Sequence, residues 1–158
     1  MDYLIRQIKE TEYHLLNDFL YEAIFIPQGM APPPRSIIEL PELQVYVRDF
    51  GSGEADICFL AETDGKAIGA VWTRIMDDYG HIESGVPSLA IALYSQYRGR
   101  GIGTSLMRAI LAELRQRGYP KVSLSVQKAN YAARMYRRFG FVTVRETDEE
   151  YLMVNYLW

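Results

Sequence analysis

The chain has 158 residues, 49% of them hydrophobic and 23% charged. That length and balance predict one domain (1–158) with a sizeable core and argue against disorder. Net charge is −3, from 17 basic and 20 acidic residues, so no basic excess points to nucleic acid or a membrane surface. The longest strictly apolar run, Leu89–Tyr94, falls far short of the roughly 20 residues of a bilayer span. Met1-Asp2-Tyr3 lacks a charged n-region and an apolar h-region, so no secretory signal is expected. Cys58 is alone, and His14 and His81 show no metal-ligand spacing. Neither a disulfide nor a metal site is expected, and the location expected is the cytoplasm.

Tyr3–Ile8 reads as a first strand. Thr11 to Phe25 follows as a helix, with Leu15, Leu16, Phe19, Leu20, Ala23 and Ile24 at helical spacing, ended by Pro27. Pro27 to Pro41 reads as a rigid loop between two helices, and Pro41 opens a second helix that Gly51 closes. Ile57–Glu62 and Lys66–Met76 are strands joined by Asp64-Gly65, a two-residue hairpin signal. In the next strand, Ser88–Tyr94, the side chains of Leu89, Ile91 and Leu93 share one face, and Ala90 and Ala92 leave the other uncluttered.

Gly101–Arg117 reads as a helix, since Ile102, Leu106, Ile110 and Leu114 recur every four residues before Gly118 and Pro120 stop it. Lys121–Val126 is a strand. Asn130 can cap a helix running to Phe139 and ended by Gly140, with Ala132, Met135, Tyr136 and Phe139 as its buried stripe. Phe141–Arg145 and Tyr151–Leu157 form a closing hairpin. Hairpins mixed with crossover helices imply a mixed sheet in an α/β sandwich.

The most informative segment is Leu93-Tyr94-Ser95-Gln96-Tyr97-Arg98-Gly99-Arg100-Gly101-Ile102-Gly103-Thr104. A strand leads into a glycine-rich turn and then a helix start. Glycines let backbone N–H groups approach an anion without a Cβ in the way. The helix N-terminus adds unpaired donors and the positive end of the dipole. Arg98 and Arg100 at that end are each unfavourable by roughly 0.3–1 kcal/mol unless an anion compensates, so the segment reads as a phosphate site. The bland reading is a tight turn with two solvated arginines. It is no P-loop, because G-x-x-x-x-G-K-[ST] is absent, and G-x-G-x-G is not the spacing of the dinucleotide fingerprint.

Arg98-Gly99-Arg100-Gly101-Ile102-Gly103 resembles the acetyl-CoA motif Arg/Gln-x-x-Gly-x-Gly/Ala of the GCN5-related N-acetyltransferase (GNAT) superfamily. The setting matches as well: an apolar strand before it, an amphipathic helix after it, then a strand, an Asn-started helix, a Tyr and Phe139-Gly140-Phe141. The resemblance covers the chain closely from about Ile57; the N-terminal third matches in element order. It implies a three-layer sandwich with a mixed, mostly antiparallel sheet of about seven strands and four helices.

By that resemblance, two neighbouring strands splay and the pantetheine arm of acetyl-CoA, the cosubstrate, lies on the first of them. Ile91, Ala92 and Leu93 would bond it, and an N–H near Leu93 would act as the oxyanion donor. Backbone amides of Arg98, Gly99, Arg100, Gly101, Ile102, Gly103 and Thr104 would hold the pyrophosphate. Asn130 corresponds to an asparagine that often contacts CoA; the bland reading is a plain N-cap, and the two roles can coexist. Tyr136 corresponds to the tyrosine that protonates the departing thiolate, although its place on an apolar stripe also suits a core aromatic.

The implied reaction is direct attack of an amine on the thioester, with a small-molecule amine or a protein amino group as acceptor and a homodimer as an analogy from the family. A base must take the amine proton. Glu83 is the leading candidate, ahead of Glu62, Glu39 and His81. Tyr13, Phe25, Tyr46 and Phe50 are candidate acceptor walls, and Glu39 or Glu42 could attract a cation. The alternatives are a non-catalytic acyl-CoA-binding module and an unrelated nucleotide-phosphate binder.

Overall fold

The computed structural model describes residues 1–76 and 81–158. Its elements are β1 (Leu4–Gln7), α1 (Leu15–Ala23), α2 (Pro41–Gln44), β2 (Ile57–Thr63), β3 (Lys66–Arg74), β4 (Ser88–Leu93), α3 (Ile102–Gln116), β5 (Lys121–Gln127), α4 (Ala132–Arg138), β6 (Val142–Glu146) and β7 (Glu150–Tyr156). Short 3₁₀ turns occupy Glu10–Glu12, Arg35–Glu39 and Ser95–Tyr97. The element order is the one the patterning implies. The Asp64-Gly65 turn has φ of +51° and +74°, the pair of left-handed positions that a two-residue hairpin demands.

The seven strands form one sheet in the order β1-β2-β3-β4-β5-β7-β6. Every pairing is antiparallel except β4 with β5, which run parallel and meet at one register position, Ser88 opposite Ser123. On one face, α3 buries Ile102, Leu106, Ile110 and Leu114, and α4 buries Ala133 and Tyr136, in a core with Val71, Leu124 and Met153. On the other, α1 and the α2 region pack Leu16, Phe19 and Leu20 against Leu60, Ala70 and Trp72. The result is the expected α/β three-layer sandwich, with the sheet between two cores.

Two helices come out shorter than periodicity implies. The first region is a 3₁₀ turn and then α1, which ends at Ala23 because Ile24 is already extended (φ −68°, ψ 120°). Pro27 therefore follows the break rather than making it. The second helix stops at Gln44 instead of running toward Gly51. Arg74 accounts for this: Nη1 donates to the carbonyls of Val45 (3.2 Å) and Arg48 (2.6 Å), while Nε and Nη2 hold the Asp56 carboxylate at 3.1 and 3.2 Å. Asp49, next to Arg48, adopts a φ of +54°.

Glycine at position 69 in β3 is set by tertiary packing. A Cβ there would run into the Leu93 side chain and stand 3.1 Å from the Ala92 carbonyl oxygen. Gly69→Ala should destabilise the fold by about 1–3 kcal/mol through overpacking, measured by urea unfolding. The loss should shrink in a Leu93→Ala background, where the obstructing carbons are gone.

Candidate active site

The strand register decides which backbone groups of β4 are free. Tyr94 N–H donates to the Ile68 carbonyl at 3.1 Å, and Ala92 lies opposite Ala70. Antiparallel hydrogen-bonded pairs alternate, so Ala90 and Ala92 direct their N–H and C=O groups to β3. Leu89, Ile91 and Leu93 direct theirs the other way, toward β5. Pro87, of the same parity, does bond across: its carbonyl accepts from Ser123 N–H at 2.9 Å. Beyond Ser88 and Ser123 no further register pair joins the two strands. Each is held instead by its outer neighbour, β3 or β7, through a continuous ladder. The V between them opens into a cleft of about 1390 Å³ lined by Leu89 to Leu93 and Leu124 to Gln127. Ile91 and Leu93 thus offer backbone groups to this gap. Ala92, whose backbone groups face β3, is one of the residues bordering the cleft but does not offer its own N–H and C=O to this gap, unlike the role expected for it.

The glycine turn stands at the open end of the V, where Gly99, Gly101, Gly103 and Thr104 line the same cleft. Gly99 and Gly101 have φ of +75° and +82°, and a Cβ at either would meet nothing within 4 Å. The left-handed turn demands glycine there, and open space lies above it. Among the described residues, the N–H groups of Gly99, Arg100, Gly101, Ile102, Gly103 and Thr104 donate to no protein acceptor. Six consecutive amides without a protein acceptor thus lie at the N-terminus of a 15-residue helix, an arrangement that in proteins generally favours a bound anion.

The two arginines of the turn depart from expectation. Arg98 N–H is already engaged by the Ser95 carbonyl at 3.3 Å, so that amide is not among the free ones of the turn. Its side chain turns back: Nε donates to the Leu93 carbonyl at 3.1 Å and Nη2 to the Glu22 carbonyl at 3.3 Å, with the Glu22 carboxylate at 3.7 Å. Arg98 is a strut from the end of β4 to α1, and its charge is compensated within the protein. Arg100 contacts Met1 Sδ at 3.9 Å and is otherwise exposed.

Across the V, Asn130 caps the start of α4, its Oδ1 accepting from Ala132 N–H at 2.9 Å, and it also lines the cleft. Tyr136, about one turn into α4, lines the cleft too, with its ring 5.9 Å from that of Phe141. Among the described residues its hydroxyl has no hydrogen-bond partner, and burial pushes the phenol up to about 12. A buried phenol with an idle O–H is a proton donor held in its neutral form.

The Acetyltransferase (GNAT) family model matches residues 20–141, a span that includes the splayed strands, the glycine turn and Tyr136. The chain belongs to this family. It is 37% identical over 103 residues to a mycothiol acetyltransferase of Saccharomonospora viridis, an alignment covering 62% of this chain and 33% of that protein. It is 30% identical over 111 residues to an N-alpha-acetyltransferase of Sulfurisphaera tokodaii, covering 60% of this chain and 66% of that one. The chain thus spans about a third of the length of the mycothiol acetyltransferase it matches. In fold it is similar to the PaiA N-acetyltransferase of Thermoplasma acidophilum, solved in complex with coenzyme A, with a TM-score of 0.72, 16% identity and 99% of each chain covered.

In this GNAT chain the expected bases lie away from the cleft. The Glu83 carboxylate pairs with Lys121, at the start of β5, the end opposite the opening of the V. Glu62 is held by Arg6 at 2.9 Å, and His81 Nδ1 lies 3.1 Å from the Met76 carbonyl oxygen. Glu39 and Glu42 are not among the cleft residues. Of the expected acceptor walls, Phe25 and Tyr46 line the cleft. Tyr13 and Phe50 instead pack edge to face, with centroids 5.2 Å apart, in the core beneath α1.

Sequence reasoning overlooked the carboxylates that do line the cleft, Glu22 and Glu150. Glu22 is on α1 beside Arg98. Glu150, at the start of β7 opposite Gln127, accepts from Gln127 Nε2 at 3.4 Å and has no cation partner among the described residues. The period-two pattern held a usable signal: Glu150 shares its sheet face with Leu152, the face turned toward α1.

Proposed function

We propose that the chain transfers the acetyl group of acetyl-CoA to a primary amine by direct attack on the thioester. The observation that carries this is one cleft shared by the Leu89–Leu93 stretch of β4 that has no register pair with β5, the amides of the glycine turn and the Tyr136 hydroxyl, which has no hydrogen-bond partner among the described residues. The amides of Gly99 to Thr104 hold the pyrophosphate, with Arg98 as a strut beside them, and Asn130 contacts CoA from the far side. The backbone of Ile91 and Leu93 pairs with the pantetheine amides, as an added strand would. Leu93 N–H donates to the thioester oxygen as charge builds there.

The acceptor enters from the α1 face, past Phe25 and Tyr46. Its neutral nitrogen attacks the carbonyl carbon, and a carbon–nitrogen bond forms. The nitrogen is then far more acidic than the free ammonium at about 10.4, and Glu150 takes its proton, directly or through water. The carbon–sulfur bond breaks, and Tyr136 delivers its proton to the leaving sulfur. Products are the amide and free CoA thiol. The acceptor is a small-molecule amine or a protein amino group.

Release of CoA thiol from acetyl-CoA in the presence of a panel of amines and N-terminal peptides tests this. Thiol release above the hydrolytic background with one of them is the expected result. Tight acetyl-CoA binding with no turnover across the panel would favour the acyl-CoA-binding module. Thermal stabilisation by ATP but not by acetyl-CoA would sink both. A ligand at a hundred times its Kd adds about 2.7 kcal/mol of stability, which a thermal melt resolves.

A further inference from the structure

On the acceptor side, the chain leaves α1 in an extended conformation at Ile24, and the next two residues, Phe25 and Ile26, line the cleft. Phe25 is half-buried and Ile26 is 36% exposed, and neither belongs to either core. Apolar side chains that line a cleft without supporting the fold are contact surface for a guest. Ile37, Leu43 and Tyr46, beyond the proline loop, extend the same apolar wall. Tyr21 adds its ring, and its hydroxyl is already engaged, donating to the Pro33 carbonyl at 2.6 Å.

The charges around that wall are one-sided. Among the described residues lining the cleft, the carboxylates are Glu22 and Glu150 and the cations are Arg98 and Arg138. Arg98 is met by Glu22 at 3.7 Å. Arg138 is on α4, which packs with α3 on the opposite face of the sheet from α1. Glu150, on the α1 face, has no cation within 4.0 Å among the described residues. The last turn of α1, Leu20 to Ala23, borders the cleft too, and the carbonyl end of a helix is partially negative. The acceptor side is thus apolar, with an uncompensated negative charge and no cation free to meet an anion.

We infer that the acceptor is a small monoamine, one primary amino group on an aromatic or branched alkyl body with no carboxylate attached, and that Phe25 and Ile26 determine this specificity. The inference rests on the reading that the chain acetylates amines. Near neutral pH such an amine is mostly ammonium, which Glu150 and the end of α1 attract while the body covers the apolar wall. An amino acid with the same side chain brings a carboxylate toward Glu150 with no cation to meet it. A polyamine would desolvate a second ammonium against the wall. The peptide bonds that follow a protein's N-terminus would lie along Phe25, Ile26, Ile37 and Leu43, side chains without a donor or acceptor.

Steady-state thiol release by the whole protein with matched acceptors tests this. Phenethylamine should exceed phenylalanine in kcat/KM by at least roughly a hundredfold, because the two differ by the carboxylate. It should exceed ethylamine by at least roughly tenfold, because the two differ by the ring. Phe25→Ala should raise the KM for phenethylamine at least roughly tenfold and leave the Kd for CoA, read by calorimetry, within about twofold. Its side chain supports neither core, so the thermal midpoint should hold. Phe25→Arg should narrow the ratio of phenethylamine to phenylalanine by supplying the missing cation. Turnover of phenylalanine, spermidine or a peptide with N-terminal phenylalanine as fast as that of phenethylamine, or faster, would overturn the inference and leave the acetyltransferase reading standing. An unchanged KM in Phe25→Ala would remove that residue from the acceptor site. Acetyl-CoA binding with no amine turned over would overturn both.

Discussion

Gly101→Glu should raise the Kd for CoA by at least roughly a hundredfold, or about 2.7 kcal/mol. Two effects add. Gly101 has a φ of +82°, and any L-residue held in that left-handed region costs roughly 1–2 kcal/mol. The glutamate then brings a negative charge onto the N-terminus of α3, beside the amides proposed to hold the pyrophosphate. Gly101→Ala separates the two. A methyl group meets nothing within 4 Å, so alanine carries the backbone cost alone and should lose far less affinity. Calorimetric titration of both variants, with circular dichroism to establish folding, reads this out. A folded Gly101→Glu protein with wild-type affinity would show that the turn holds no phosphate.

Tyr136→Phe should lower kcat by roughly 10²–10⁴-fold, the usual contribution of a positioned general acid. Acetyl-CoA affinity should stay within about twofold, because the ring that contacts the cleft is retained. Stability should not fall and could rise by as much as about 1 kcal/mol, since a buried hydroxyl without a partner carries a desolvation penalty that the variant removes. A structural tyrosine would give the opposite pairing, with stability lost and rate kept. The pH profile adds a second readout. A general acid works protonated, so its contribution disappears as pH rises through its pKa. Burial moves that pKa upward from about 10 to about 12. Between pH 8 and 10 the rate should therefore climb as the amine loses its proton, with no descending limb from the phenol. A fall centred near pH 9 that vanishes in Tyr136→Phe would place the acid in a wetter environment than the cleft provides.

Much of the architecture follows from short-range chemistry. The α3 stripe from Ile102 to Leu114 is a helix in any context that offers an apolar surface. The Asp64-Gly65 turn needs two left-handed residues and has them. The glycine turn needs positive φ at Gly99 and Gly101, and no other residue type reaches it as cheaply. These features depend on neighbours within a few positions, so a linear reading finds them. The same reading overextended the helices around Thr11 and Pro41, because their ends are fixed elsewhere. Arg74, some thirty residues from Val45, takes the carbonyls that would have continued α2.

The site divides along the same line. The sequence by itself determined that a glycine-rich turn opens a helix after an apolar strand, and that Asn130 and Tyr136 follow at the spacing of the motif it resembles. Tertiary structure alone decided which charges and amides remain available. Arg98 is compensated by Glu22, 76 residues away on α1. Glu83 is claimed by Lys121, at the closed end of the V. Glu150 arrives in the cleft through the pairing of β7 with β5. A charged group acts on a ligand only when no closer counter-charge meets it first. That depends on chain crossings which no local pattern encodes.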